Sequence, residues 1–298
     1  MASESPAKPR GCSVVHDVSL PGRARCRVRR LEGPANAPTV VLLHGWTATA
    51  DLNWGRCYDA LAGHFQVISP DLRGHGRGVR GPFSLEACAD DIAALLTALG
   101  TRPAIVVGYS MGGPVATLLW RRHPPLVAGM VLCSTAPYFA ATRLEQLGLA
   151  AIGACSEPAR RLPATARRTL RALTRLGRVR LSGLPQAALD VVGRHDTVAI
   201  CQAAQALRGY RADTWLGSVS IPTAVVMTTR DHVVPVPRQQ RLTQAIPHCA
   251  LFEVDGDHAV CATNPKRFLP ALLAALADVA GRSVTSSVCA RDLEPMAA

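Results

Sequence analysis

The sequence predicts an α/β protein in which a mostly parallel central sheet of about eight strands is flanked by helices. Short apolar runs, among them residues 39–43 and 104–107, are typical of strands that are buried on both faces. These runs alternate with helical segments, and that alternation favours parallel pairing with helices on both sides of the sheet. With 298 residues and 48% hydrophobic content, the chain can bury one large core.

Eight strands are predicted from apolar runs that lie between turns. The first two flank the turn Pro21-Gly22, which is typical of a hairpin. The run 39–43 is Thr-Val-Val-Leu-Leu and has no polar face, so we expect it in the interior of the sheet. The predicted strand bounds are 14–20, 24–31, 39–43, 65–69, 104–107, 128–134, 222–228 and 250–254.

Four helices are predicted between and after these strands. Ser84 is expected to cap the first helix, with Glu86 in its first turn and Gly100 at its end. The second helix is expected to end before Pro124, because a proline interrupts helical hydrogen bonding. The predicted helical bounds are 85–99, 111–123, 237–245 and 265–279.

Composition divides the chain into four parts. Residues 1–12 are rich in proline and serine and residues 281–298 in serine, threonine and charge, so both ends are predicted to be disordered. Residues 13–137 and 215–280 are predicted to form the core. Residues 138–214 contain alanine, leucine and arginine at helical spacing without a buried-strand run, which predicts an inserted helical lid.

Charge and cysteine usage exclude some classes of protein. The net charge is +12, but no compact basic run contains interleaved aromatic residues, so nucleic-acid binding is not expected. The ten cysteines form no CxxC pair and the first residues contain no apolar signal block, so we expect free buried thiols in a cytoplasmic protein. No apolar run reaches the ~18 residues of a membrane-spanning helix.

The segment Gly108-Tyr109-Ser110-Met111-Gly112 lies between a predicted buried strand and a predicted helix. A serine on a tight strand-to-helix turn exposes its hydroxyl, and the turn crowds the positions two before and two after it, so both are glycine. The helix N-terminus directs its positive end toward a developing oxyanion. Ser110 is therefore the predicted nucleophile; without this setting the same string is a plain glycine turn.

A serine nucleophile needs a base and a carboxylate that orients the base. His258 follows the predicted strand 250–254 and Asp231 follows the predicted strand 222–228, so both lie at the strand ends where Ser110 also lies. Among nine histidines, His258 alone combines a strand-end position with the order serine, acid, histidine. Another acid position, after the predicted strand 128–134, contains no carboxylate, which favours Asp231.

Two backbone N–H groups are expected to stabilise the oxyanion. One belongs to Met111, the residue after the nucleophile. The other is expected from Trp46 in the loop His44-Gly45-Trp46, where Gly45 lets the backbone approach the substrate. The alternative interpretation of this loop is an ordinary turn with an anchoring aromatic residue.

Three segments together resemble the α/β-hydrolase family in its lidded branch: 44–46 (HGW), 71–76 (DLRGHG) and 108–113 (GYSMGG). The resemblance covers residues 14–280 and implies an eight-stranded core, the catalytic triad and oxyanion hole named above, and no cofactor. No metal-ligand set is identified. Serine at the nucleophile position disfavours the dehalogenase and epoxide-hydrolase branches, which have aspartate there. The segment 71–76 is expected to fix loops rather than contact substrate.

The predicted function is hydrolysis of a small to medium carboxylic ester through an acyl-enzyme. Acyl transfer, perhydrolysis and C–C bond hydrolysis use the same triad, and a non-enzymatic ligand-binding receptor shares the fold. Residues 138–214 carry twelve arginines against five carboxylates, with leucines at helical intervals among them. This pattern suggests weak contact with anionic membranes or attraction of anionic acyl substrates; a lid helix with solvated arginines is the plainer alternative. Oligomeric state is not defined.

Overall fold

The computed structural model describes residues 13–161 and 195–291, and the described part contains eight strands. All eight lie within two residues of their predicted bounds. They are β1 (Ser13–Ser19), β2 (Arg25–Leu31), β3 (Thr39–Leu43), β4 (Gln66–Pro70), β5 (Ala104–Tyr109), β6 (Val127–Cys133), β7 (Thr223–Thr228) and β8 (Ala250–Val254).

The strands form one sheet in the order β1-β2-β4-β3-β5-β6-β7-β8. β1 pairs with β2 and β2 with β4 in antiparallel fashion, whereas every pairing from β4 through β3 to β8 is parallel. The carboxyl ends of β3 and β5 to β8 therefore meet at one edge of the sheet. This arrangement confirms the predicted α/β fold with a mostly parallel sheet of eight strands.

Helices connect the strands and cover both faces of the sheet. The described helices are α1 (Ala50–Trp54), α2 (Tyr58–Ala62), α3 (Leu85–Ala98), α4 (Gly112–Arg122), α5 (Arg143–Ala154), α6 (Ser156–Arg161), α7 (Thr197–Gly209), α8 (Val236–Ala245), α9 (Val260–Thr263) and α10 (Pro265–Arg291). In the two described ranges, no helix combines the length and the apolar character needed to cross a bilayer.

The sheet separates two hydrophobic cores. One lies against α3 and α4 and contains Leu96 and Leu119, and the other lies against α1, α2 and α10 and contains Trp54 and Phe268. Because successive strand residues point to opposite faces, Val106 of β5 faces the first core and the next residue faces the second. Strand β5 is thus buried on both sides, as its apolar sequence predicts.

Three short helices, α1, α2 and α9, are not predicted from the sequence. Each has five residues or fewer, which is too short to show a helical repeat of apolar residues. Local capping still supports α1, because the side chain of Thr49 accepts a hydrogen bond from the N–H of Leu52. Ser84 caps α3 in the same way, as predicted.

The last helix is longer than its sequence predicts. It runs from Pro265 to Arg291, whereas the predicted helix ends at residue 279 and the predicted disordered tail begins at residue 281. For residues 280–291 these two predictions are wrong. The guanidinium of Arg282 donates to the carbonyl of Thr223 at 2.9 Å, and the Ser283 hydroxyl donates to the carbonyl of Ala128 at 2.9 Å. These contacts with the sheet explain why a polar segment continues the helix.

The predicted lid, 138–214, is described only at its two ends. Residues 138–161 contain α5 and α6, residues 195–214 contain α7, and an isolated antiparallel bridge joins Tyr138 to Arg211. The stretch 162–194, with the leucines and arginines that suggest contact with anionic membranes, lies outside the described residues. The lid and the other domain bounds therefore stay predictions.

The loop after β4 is fixed by buried charges, in agreement with the expected role of segment 71–76. The Asp71 carboxylate accepts from the N–H groups of Ala50 and Arg77 at 2.9 Å each. The guanidinium of Arg73 forms two hydrogen bonds with Asp91 of α3, at 2.8 and 2.7 Å, and Arg23 contacts the same carboxylate. This ion cluster ties the loop to α3 and to the β1–β2 hairpin.

Asp91→Asn should lower the free energy of unfolding by about 3 kcal/mol, because it leaves two arginines without a buried counter-charge. Chemical denaturation measures this loss. The neighbouring Asp90→Asn is the matched control, because Asp90 pairs with Arg122 on the surface and should lose less than about 1 kcal/mol. Equal losses in the two variants would contradict the assignment of Asp91 as a buried anchor.

Candidate active site

Ser110 lies on the tight turn between β5 and α4 with a positive φ of 51°. This left-handed conformation is unusual for serine, and the surrounding backbone holds it in place. The Ser110 N–H donates to the carbonyl of Cys133 at 2.9 Å, and the Ser110 carbonyl accepts from the Thr135 hydroxyl at 2.8 Å. The end of β6 thus fixes the peptide groups on both sides of the serine.

The glycines of this turn are required by close backbone contacts. A Cβ atom on Gly108 would lie 2.4 Å from the carbonyl oxygen of Gly112, and a Cβ on Gly112 would lie 2.4 Å from that of Leu43. Both distances are far shorter than real Cβ contacts. Any side chain at either position would push α4 away from the sheet and move Ser110.

Ser110, His258 and Asp231 form a continuous hydrogen-bonded chain. His258 Nε2 lies 3.0 Å from Ser110 Oγ, and His258 Nδ1 lies 2.7 Å from Asp231 Oδ2. The three residues follow β5, β8 and β7, so the parallel topology brings their strand ends to one place. The arrangement suits proton transfer from a serine hydroxyl to an oriented imidazole.

Asp231 is buried and held by several donors. Its Oδ1 accepts from the N–H groups of Val233 and Val234 at 2.9 and 2.8 Å, and its Oδ2 accepts from the Thr228 hydroxyl at 2.8 Å. Burial alone would raise the pKa of Asp231, but the hydrogen bond and charge of His258, with those of Val234 and Thr228, lower it. The carboxylate therefore stays ionised beside the imidazole.

Tyr109, the residue before the serine, supports the histidine loop. Its hydroxyl donates to the backbone carbonyl of His258 at 2.7 Å, and its ring packs between Trp54 and Phe268 in the second core. Burial holds the pKa of Tyr109 well above its ordinary value, so the hydroxyl remains a donor. A residue of the nucleophile turn thus anchors the loop that carries the imidazole.

The N–H groups of Met111 and Trp46 are available to a ligand at this site. Among the described residues, neither group donates a hydrogen bond to another part of the chain. The N–H of Gly45, the residue before Trp46, already donates to the Asn53 side chain at 3.0 Å. A Cβ atom on Gly45 would lie 3.3 Å from the Cβ of Ser110. The loop after β3 therefore runs directly beside the serine.

A cavity of about 160 Å³ opens beside Ser110 and His258. Small or apolar side chains of the loops after β3 and β8 line it, among them Ala48, Leu52 and Ala262. No group of three metal-ligating side chains is present in the ranges 13–161 and 195–291. Because no charged carboxylate or basic side chain other than the imidazole of His258 is among the described residues that line the cavity, it favours an uncharged portion of a ligand.

Three residues of this site were not identified from the sequence: Thr228, Tyr109 and Asn53. Thr228 lies three residues before its partner Asp231. Tyr109 binds His258, 149 residues away in the chain, and Asn53 binds Gly45, 8 residues away. Their residue types are common in cores and loops, so no sequence pattern distinguishes them. Tyr109 belongs to the segment Gly108–Gly112, but nothing in that segment indicates that its hydroxyl binds the loop of His258.

Three buried histidine rings pack against one another: His44 after β3, His75 after β4 and His195 at the end of the predicted lid. The centroids of His44 and His75 are 5.3 Å apart, and those of His75 and His195 are 5.2 Å apart. His195 Nδ1 accepts from the Gly76 N–H at 3.0 Å, and its Nε2 donates to the Thr47 carbonyl at 3.1 Å. His195 thus joins the end of the predicted lid to two core loops.

Burial lowers the pKa of all three histidines. It lowers the pKa of His195 to about 4 and that of His75 well below the ordinary value of 6.5, with neighbouring histidines adding to the effect. Burial is also the main cause of the lowered pKa of His44. The cluster is therefore neutral at neutral pH, and acid is expected to disfavour it.

This chain is similar to known proteins of one family. A family model described as the alpha/beta hydrolase fold matches residues 38–265. The chain is 30% identical over 260 residues to the pimeloyl-[acyl-carrier protein] methyl ester esterase of Chromobacterium violaceum, covering 81% of this chain and 95% of that protein. It is 34% identical over 244 residues to the enzyme of the same name from Aromatoleum aromaticum, covering 78% and 95%.

A solved structure shows the same fold. An esterase from Thermogutta terrifontis superposes with a TM-score of 0.67 at 24% identity, covering 90% of this chain and 98% of the other. At this identity the likeness concerns the fold alone. It agrees with the sheet order and helical layers described above.

His195 should make folding sensitive to acid. Its pKa is about 4 in the folded protein against 6.5 ordinarily, so below pH 6.5 the unfolded chain binds a proton that the folded protein does not. Between pH 7 and pH 5, the free energy of unfolding of the unmodified protein should therefore fall by about 2 kcal/mol more than that of His195→Gln. In this variant the glutamine amide replaces the two hydrogen bonds of the ring.

Denaturant titrations at the two pH values measure this difference. His64→Gln is the control, because His64 is exposed, and it should keep the pH dependence of the unmodified protein. An unchanged pH dependence in His195→Gln would contradict the assignment.

Proposed function

The chain belongs to the α/β-hydrolase family, and from this premise we propose that it is a cytoplasmic serine hydrolase that cleaves carboxylic esters through an acyl-enzyme. The observation that supports this most is the hydrogen-bonded chain from Ser110 through His258 to Asp231, with distances of 3.0 and 2.7 Å. The relatives named methyl ester esterases support an ester as the substrate.

In the proposed reaction, Ser110 Oγ attacks the ester carbonyl while His258 Nε2 accepts its proton. Asp231 fixes the imidazole through Nδ1 and stabilises the imidazolium that forms. The N–H groups of Trp46 and Met111 bind the developing oxyanion, and loss of one such donor costs ~3 kcal/mol of barrier stabilisation. These N–H groups have no other acceptor among the described residues, which supports this role.

The second half of the reaction reverses the proton path. His258 donates its proton to the leaving alcohol, and the acyl group remains on Ser110. His258 then accepts a proton from water, which attacks the acyl-enzyme and releases the acid. Since the imidazole must be neutral to act as a base, we expect activity to fall in acid.

The same residues suit acyl transfer, perhydrolysis and C–C bond hydrolysis, and a ligand-binding receptor on this fold would also keep its cavity. The first three differ from ester hydrolysis in the acceptor or the bond, so product analysis with competing alcohols, peroxide and β-diketones distinguishes them. A receptor would bind ligand without turnover. The esterase relatives favour hydrolysis of an ester.

The charge distribution favours an anionic acyl substrate. Residues 138–214 have twelve arginines and five carboxylates, a formal charge of +7 in a chain whose total is +12. Seven of the twelve arginines lie in 162–194, outside the described residues, so this part of the proposal is inferred from the charge of the sequence. A basic segment near a binding site raises the local concentration of anions and their rate of association. The relatives are named for an acyl group on a carrier protein, which supports an acyl ester as the substrate class.

Ser110→Ala should abolish hydrolysis of p-nitrophenyl esters. Ser218→Ala should retain it, because Ser218 is an exposed serine whose hydroxyl donates to the Trp215 carbonyl at 2.8 Å. The loss in Ser110→Ala should reach at least about 10⁴-fold in kcat, since its nucleophile is gone. Turnover across chain lengths from acetate to palmitate sizes the acyl site. Full activity in Ser110→Ala would refute the proposal, and a folded native protein that turns over no ester would favour the alternative reactions.

The anionic-substrate proposal is tested with two esters of matched length, p-nitrophenyl valerate and the p-nitrophenyl monoester of glutarate. The ratio of kcat/KM for the charged ester to that for the neutral ester should fall several-fold from low to high salt, because the screening length falls from ~30 Å at 0.01 M to ~3 Å at 1 M. A ratio that does not change with salt would refute electrostatic attraction of the substrate.

A further inference from the structure

Two buried cysteines from distant parts of the chain meet beside the active site. The sulfur atoms of Cys57, at the start of α2, and Cys261, in α9, lie 3.9 Å apart. Cys261 lines the cavity next to Ser110, and Cys57 packs directly behind it. The two are 204 residues apart in the sequence, so no CxxC pattern indicates the pair.

Cys261 is connected to both halves of the catalytic arrangement. It lies three residues after His258, and its thiol donates to the backbone carbonyl of Asn53 at 3.1 Å. The Asn53 amide contacts the Cys261 sulfur at 3.6 Å, and its Oδ1 holds the Gly45 N–H at 3.0 Å. A change at the Cys261 sulfur is thereby transmitted to the loop that carries the Trp46 N–H and to the loop that carries the imidazole.

We propose that Cys57 and Cys261 form a redox-sensitive thiol pair, which a hydroperoxide entering the substrate cavity converts to a disulfide that lowers catalytic activity. The pair and its oxidation stand on the geometry alone. The effect on turnover rests on the proposed hydrolase function.

The chemistry balances in two steps. The Cys261 thiol, which lines the cavity, attacks the terminal oxygen of the hydroperoxide, giving a sulfenic acid and releasing the alcohol or water. Cys57 sulfur then attacks the Cys261 sulfur, the S–O bond breaks, and water leaves with the Cys57 proton. Two thiols lose two electrons and two protons, and the hydroperoxide is reduced by two electrons.

Access to the cavity, rather than acidity, assigns the first step to Cys261. In the reduced pair, the contact with the Cys261 thiol lowers the pKa of Cys57, while burial opposes this effect. Burial raises the pKa of Cys261 well above its ordinary value, so its oxidation should be slow and require sustained exposure to oxidant.

Closing the bond requires movement at the site. A disulfide has a sulfur–sulfur distance of ~2.05 Å, whereas the thiols are 3.9 Å apart. The Cys261 thiol would also lose its hydrogen bond to Asn53. Because α9 follows the histidine loop directly, we expect His258 to shift relative to Ser110, and a shift of ~1 Å at a reacting group can cost roughly a hundredfold in rate.

The test treats the full-length reduced protein with hydrogen peroxide and follows disulfide formation by mass spectrometry. Trypsin should give a cross-linked species between peptides 57–73 and 242–266. Fragmentation must assign the link to Cys261 rather than Cys249 in the same peptide. A link from Cys57 to any other cysteine, or no link while the thiols become sulfinic acids, would overturn the proposal even if no substrate is ever found.

Ester hydrolysis, measured in parallel, should fall by tenfold or more and return with dithiothreitol, as expected for a misplacement of ~1 Å. Cys57→Ala should keep its basal activity and lose the reversible inhibition. Cys155→Ser is the matched control, because Cys155 is the exposed cysteine of the described residues and lies on the lid side, so its inhibition should equal that of the unmodified protein. Reversible inhibition in Cys57→Ala, or disulfide formation without loss of activity, would refute the functional part.

Discussion

The backbone crowding at the turn between β5 and α4 determines the geometry of the whole site. A Cβ atom on Gly108 would collide with the Gly112 carbonyl and one on Gly112 with the Leu43 carbonyl, and Ser110 between them takes a left-handed conformation. Such strain persists only where the surrounding structure holds it. Here the strands on both sides of β5 hold it, because β3 contacts Gly112 and the end of β6 binds both peptide groups of Ser110.

From this fixed point, hydrogen bonds position the other loops in turn. Tyr109 holds the His258 carbonyl, His258 bridges Ser110 and Asp231, and Thr228 with the N–H groups of Val233 and Val234 holds the carboxylate. On the opposite side, Asn53 holds Gly45 next to the serine. The bonds of Tyr109 and His258 join different strand ends, whereas Thr228 and Asn53 fix loops of their own strands. Together they bring chemistry spread over about 150 residues within a few ångströms.

Much of this could be predicted from sequence because the signals are local. Buried strands have apolar runs, and Ser110, Asp231 and His258 follow such runs in a fixed order, so topology alone brings them together. Tyr109 and Asn53 could not be assigned, since their partners are defined only by contacts in space. The short helices α1, α2 and α9 lack a repeat, and the helical extension after residue 280 depends on contacts between Arg282 and the sheet. Contacts of this kind leave no pattern along the chain.

The two cores on either side of the sheet have a consequence for how the protein tolerates mutation. The helix behind Ser110 packs in one core, whereas α9 and α10, which follow His258, pack in the other. The 3.0 Å contact between Ser110 and His258 therefore joins parts of the chain that pack on opposite faces of the sheet. Tyr109 links the two, because it belongs to the nucleophile turn while its ring packs in the second core. Because protein interiors are close-packed and transmit strain, a change of side-chain volume in either core reaches the active site through the sheet as well as through the loops that line it.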